Sequence, residues 1–142
     1  MTIRGHPLPE SMARAMSSGC LRREKGSWPL REELDAFGQR LETGLGEFLE
    51  TEADIEQATD ALSRNFKADG IYGQPSEEPE LGGIPDIVDF SGLLCFGSSG
   101  DGAPFCLDYR ANPESPQIVW WDDIYWRVMA PDFDTFLRLF EV

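Results

Sequence analysis

The sequence predicts an α+β fold in a single domain, residues 1–142, with helical segments and a run of strands toward the C-terminus. Three observations lead there. The chain has 142 residues, 41% of them hydrophobic and 27% charged, which suits one packed core without metal or disulfide staples. After residue 86, four short runs, SGLLCF, FCLDY, QIVWW and IYWRVM, are each bounded by turn residues, as successive antiparallel strands are. Elsewhere, apolar residues recur every three or four positions, the spacing of a helix face.

In chain order, LPESMARAMSSG sets Leu8, Met12, Ala15 and Met16 on one helical face, with Pro9 in the first turn and Gly19 placed to cap the end. Residues 1–25 otherwise read as a loose segment. From Trp28 to Leu49 the apolar spacing is again helical, but Gly38, Gly44 and Gly46 would together cost a helix about 3 kcal/mol. The stretch is therefore expected to break into extended structure at 28–33, a turn at 35–39 and a short strand near 45–50. Thr51 and Asp54 stand in capping-box relation before the stripe Ile55, Ala58, Leu62 and Phe66, the strongest helix signal in the chain, which Asp69-Gly70 ends. The acids Glu52, Asp54, Glu56 and Asp60 suit the positive end of that helix without any ligand. Residues 71–86, with three prolines and three glycines, have loop composition. PDFDTFLRLF closes the chain as a helix capped near Asp132, with Phe133, Phe136, Leu137 and Phe140 facing inward.

Charge narrows the classes of partner. There are 26 acidic and 12 basic residues, a formal net charge of −14, and the first 25 residues carry five of the basic groups but only two of the acids. Such a field repels nucleic-acid phosphates and anionic lipid and favours a basic partner, although net charge also serves solubility alone. Three cysteines, Cys20, Cys95 and Cys106, form no C-x-x-C pair, and His6 is the sole histidine, so zinc and haem motifs are absent. Cys95 and Cys106 flank a glycine-rich run and can face each other across a hairpin, but an odd thiol count fits a reducing compartment and small core residues. No stretch approaches the ~20 apolar residues of a membrane helix, and no signal-peptide pattern opens the chain, so a cytoplasmic location is expected.

Three candidate sites remain. FGSSGDGAPFCLDYR carries Gly97, Gly100 and Gly102, but it contains no lysine and runs into a strand rather than a helix, so it does not match a phosphate-binding loop. Asp101-Gly102 instead suits a tight turn between antiparallel strands. VWWDDIYWR holds three tryptophans, Tyr125 and the adjacent acids Asp122 and Asp123. Aromatics at this density fill a core or form a binding face, and strand alternation puts Trp120 and Trp121 on opposite sides, one inside and one less protected. The carboxylates of Asp101, Asp108, Asp122 and Asp123 raise acid/base or metal chemistry as a lesser candidate. No nucleophile has a base in reach, since His6 is remote in sequence, so no catalytic residue, metal site or cofactor is predicted.

The series FGSSGDGAPFCLDYR, QIVWWDD and VMAPDFDTFLRLF resembles the SUKH superfamily, which includes bacterial immunity proteins and fungal regulators of cell-wall synthesis. The likeness is clear over residues 93–140, where Gly100, Asp101, Gly102, Phe105, Leu107, Asp108, Ala130, Phe133, Phe136 and Leu137 match its motifs; LPESMARAM resembles its first helix. The resemblance implies an α+β domain with a mostly antiparallel central sheet packed by helices, which binds protein and is not an enzyme: a cytoplasmic immunity protein that neutralises a toxin, or an intracellular scaffold or regulator. A basic toxin domain agrees with the charge, and Trp121, Asp122, Asp123 and Tyr125 are the expected partner-binding residues, with Gly100, Asp101, Gly102 and Asp108 structural.

Overall fold

The computed structural model describes residues 2–18, 45–67, 90–99, 102–121 and 126–139. The elements expected at 28–33 and 35–39, the cap at Gly19, the stop at Asp69-Gly70, the loop at 71–86 and Phe140 lie outside them. Two short strands, β1 (Thr2–Ile3) and β2 (His6–Pro7), precede helix α1 (Glu10–Ser18). Strand β3 (Leu45–Phe48) leads to helix α2 (Glu52–Lys67). Four strands follow, β4 (Leu93–Ser99), β5 (Pro104–Asp108), β6 (Gln117–Trp121) and β7 (Trp126–Ala130), and then helix α3 (Phe133–Arg138).

Strands β3 to β7 form one antiparallel sheet in strict chain order. Strands β4 to β7 follow one another over short connections, the cheapest way to join antiparallel neighbours, whereas α2 intervenes between β3 and β4. The sheet bears apolar side chains on both faces. Leu94, Phe96, Phe105, Leu107, Ile118, Trp120 and Met129 pack on one side with α1, α3 and Ile3. Leu93, Cys95, Cys106, Val119, Trp121 and Trp126 pack on the other, with Leu62 of α2 and Phe90.

This double cover changes the expected fate of the tryptophans. Alternation along β6 does send Trp120 and Trp121 to opposite faces, but both are buried, at 6% and 8% exposure. Trp120 stacks on Phe105 at 5.7 Å between ring centres, and Trp121 meets Trp126 edge-on at 5.6 Å. A sheet with helices on each face has no less protected side to offer.

The N-terminus also departs from expectation, since residues 2–18 are held rather than loose. Arg4 and Gly5 both take positive φ, 54° and 79°, and fold β1 back on β2 as a tight hairpin. His6 stacks on Tyr109 at 4.5 Å, its Nε2 lies 3.0 Å from the Ser91 carbonyl oxygen, and the Tyr109 hydroxyl donates to the Pro7 carbonyl at 2.8 Å. Ile3 is buried beneath. Arg4 adds an ion pair to Asp60 and a hydrogen bond to the Glu56 carbonyl, tying the hairpin to α2.

Helix α2 begins as its sequence dictates, with the Asp54 amide donating to the Thr51 hydroxyl at 3.1 Å. Thr59, buried within the helix, docks it on the sheet. Its hydroxyl donates to the Ile55 carbonyl at 2.6 Å and accepts the Cys95 amide at 3.0 Å. The Cys95 N–H needs that acceptor because β3 has not yet begun to pair with β4 at this level: the β3 register starts at Gly97. Gly97 is needed for the pairing itself, since a Cβ there would collide with the Glu47 carbonyl oxygen of β3.

Thr59→Val keeps the shape of the side chain and removes the acceptor, leaving a buried N–H unpaired. It is expected to lower unfolding stability by about 1–3 kcal/mol, read as a shifted urea midpoint at unchanged slope; an unshifted midpoint contradicts the docking role.

Candidate protein-interaction surface

With both sheet faces covered, the sheet ends and the helix backs are where a partner can reach the chain. The antiparallel order decides which connections share an end. The β4–β5 turn follows Ser99 and the β6–β7 connection follows Trp121, and Phe105 pairs with Trp120 across the two middle strands. Both connections therefore leave the same end of the sheet. Trp121 and Trp126, partners in register, brace the second of them from below.

On its described side the β4–β5 connection is closed by hydrogen bonds among Ser99, Gly102 and Ala103. Gly102 has φ 91°, a conformation that favours glycine, and its amide donates to the Ser99 carbonyl at 2.9 Å. The Ser99 amide donates to the Ala103 carbonyl, and the Ser99 hydroxyl accepts from the Ala103 amide. Every donor named here is used within the turn, so Gly102 serves chain geometry. Gly100 and Asp101 lie outside the described residues, as do Asp122, Asp123 and Tyr125.

Asp108 stands apart from the other carboxylates. It ends β5, whose five residues separate it from the turn by ~13 Å along the strand. Its carboxylate accepts from the Arg110 amide at 3.0 Å, from Arg110 Nε at 2.9 Å and Nη2 at 3.0 Å, and from Gln117 Nε2 at 3.0 Å. Burial raises its pKa, but the hydrogen bonds from Arg110 and Gln117 and the Arg110 charge outweigh burial and hold the carboxyl below the usual aspartate value. Asp108 is thus a tie between β5, β6 and the chain after β5, fully engaged and unable to join Asp101, Asp122 and Asp123 in one centre. Among the described residues no three His, Cys, Asp or Glu side chains converge as metal ligands.

The opposite end of the sheet carries a shallow groove of about 200 Å³ between the start of α1, Pro116 and the start of α3. Asp132 lines it and caps α3, accepting the Thr135 amide at 2.7 Å, a bond that lowers its pKa. Arg127, on β7, is buried with its guanidinium 5.4 Å from the Trp120 ring centre. Sequence inspection passed over Arg127 because a charged residue in WRVM reads as the solvent side of a strand.

A model of the SMI1/KNR4 family (SUKH-1) matches residues 5–139. The chain belongs to that family. The match takes in β2 and α1 as well as the sheet, so the SUKH likeness read from residues 93–140 extends over nearly the whole chain. SUKH membership supports an immunity- or regulator-type domain in general, in a superfamily that is generally not enzymatic. No curated protein and no solved structure matches the chain. No helix among the described residues is long and apolar enough to cross a membrane.

The Asp108 tie has a measurable sign. A carboxyl whose folded pKa is depressed stabilises the protein above its unfolded pKa, near 3.9, and loses that contribution as pH falls through the lower folded value. Asp108→Asn is expected to destabilise the domain by about 1–3 kcal/mol at neutral pH and to flatten the loss of stability below pH 5. Denaturant titrations from pH 7 to pH 3 read both effects, and an unchanged acid limb contradicts the assignment.

Proposed function

We propose that this SUKH protein is a non-enzymatic cytoplasmic immunity protein that binds and neutralises a basic toxin domain through the end of the sheet carrying the β4–β5 and β6–β7 connections. The observation that carries the reading is the shared end. The acids that sequence alone singles out, Asp101 in one connection and Asp122 and Asp123 in the other, belong to loops that leave the same side of adjacent strands. The net charge of −14 acts over a longer range, drawing a cationic partner toward that end and raising its rate of encounter.

Within this surface the four partner-binding residues have different parts. Trp121 is buried against Trp126, so it supports the connection rather than touching the partner. Asp122 and Asp123 supply charge, and Tyr125 supplies an aromatic contact of the kind that anchors interfaces. An intracellular scaffold or regulator would use the same end on a partner made by the same cell. Family membership supports either reading, whereas the excess of acid favours a basic partner such as a nucleic-acid-directed toxin.

Co-expression with the toxin encoded beside it is expected to restore growth and to yield a complex that co-purifies; growth arrest with no complex contradicts the immunity reading. Asp122→Lys with Asp123→Lys is expected to slow association at low salt about tenfold, within the range of electrostatic steering, while dissociation changes less. Stopped-flow association at two ionic strengths tests this, and an association rate insensitive to both salt and the double substitution contradicts the charge assignment.

A further inference from the structure

Cys95 and Cys106 are partners in register on the neighbouring strands β4 and β5, and neither is in a disulfide. Antiparallel pairs alternate between those that exchange two backbone hydrogen bonds and those that exchange none, and the second kind brings the Cα atoms to about 4.5 Å. Two observations place this pair in the second kind. The Tyr109 amide donates to the Gly92 carbonyl at 2.8 Å, so counting inward from 92/109 the bonded pairs are every second one, and 95/106 falls between them. Independently, the Cys95 amide is spent on the Thr59 hydroxyl, away from β5. A Cα separation near 4.5 Å lies within the range that a disulfide spans.

The thiols are also in contact. The Cys95 thiol donates to the Gly97 carbonyl at 3.6 Å, and its interaction with Cys106 lowers the Cys95 pKa, whereas burial holds that of Cys106 well above the ordinary thiol value. Cys95 keeps 5% exposure and Cys106 none, so Cys95 is the sulfur that a small oxidant meets first. Its cover is α2, whose Ala58 and Leu62 belong to the same cluster and whose Thr59 hydroxyl holds its amide.

We infer that Cys95 and Cys106 form a reversible cross-strand disulfide when the protein meets a peroxide, stapling β4 to β5 beneath the 99–104 turn. The chemistry balances within the pair and one oxidant molecule. The Cys95 thiolate attacks a peroxide oxygen and the O–O bond breaks, giving a Cys95 sulfenic acid and, after protonation, water. The Cys106 sulfur then attacks the Cys95 sulfur; the S–S bond forms, the S–O bond breaks, and the second water leaves with the remaining thiol proton. The two thiols lose two electrons and hydrogen peroxide gains them. No outside thiol is needed, since the second sulfur is already in place.

The test treats the folded full-length chain, and a Cys20→Ser variant that removes the third thiol, with hydrogen peroxide, then counts thiols in denaturant and maps peptides without reduction. The expected product in both proteins is monomeric, lighter by two hydrogen atoms, with a peptide pair joined through Cys95 and Cys106 and both thiols regained on adding dithiothreitol. Thiols that stay fully reduced while a small-molecule thiol in the same solution is consumed would overturn the inference. So would Cys95 oxidised to sulfinic acid without a bridge, or bridging that vanishes in the Cys20→Ser variant.

Discussion

The side chains of Ile118, Val119, Trp120 and Trp121 alternate between two separate apolar clusters, and all four residues are buried. That double burial is the constraint on which the rest of the molecule depends. A central strand with apolar groups on both sides cannot lie at a surface, so it demands cover on each face: α1, α3, the N-terminal hairpin and Ile55 of α2 on one, Ala58 and Leu62 of α2 on the other. Losing one buried aromatic ring from such a core costs about 3–5 kcal/mol, against a total stability on the order of 5–15 kcal/mol for a domain. The aromatic set Phe96, Phe105, Trp120, Phe133 and Phe136, with ring centres 5.1–6.4 Å apart where they meet, is therefore spent on cohesion.

Function is pushed to the periphery as a consequence. Two polar groups that enter the interior are consumed there: Thr59 serves the Cys95 amide, and Asp108 is held by Arg110 and Gln117. The two ends of the sheet differ in kind. One is closed by the Asp108 tie and the Asp132 cap, whose carboxylates answer to neighbours within the chain. The other is built from two connections between consecutive strands, raised on a buried pair of tryptophans, and there the chain can vary or present charge without disturbing either core. An immunity- or regulator-type domain of the SMI1/KNR4 family suits that division of labour, because its recognition can reside in loops carried by a rigid scaffold.

Sequence revealed those elements whose signals are local. The four strands after residue 86, the helix opened by Thr51 and the Asp132 cap all carry their own boundary chemistry, and each is found where it was expected. The positive φ of Gly102 was legible for the same reason. Features set by distant partners were not. Two strands of two residues each have no periodicity to detect, and the N-terminal hairpin exists because His6 and Pro7 meet Tyr109, more than a hundred positions away. The burial of Trp121 depended on knowing that α2 covers the second face, and the role of Thr59 on knowing where β3 stops pairing. Asp108 looked like a member of an acidic group until strand direction placed it at the far end of β5.

The proposal that recognition resides at one sheet end, and not on a face or a helix back, is tested most directly by hydrogen–deuterium exchange on the free protein and on its complex with the proposed toxin partner. The account predicts that protection on binding concentrates at residues 99–104 and 121–126, with the backbone of β4 to β7 already slow in both states. Protection confined to the outer side of α2, or to the groove beside Pro9 and Pro116, with residues 99–104 and 121–126 unchanged, would contradict it.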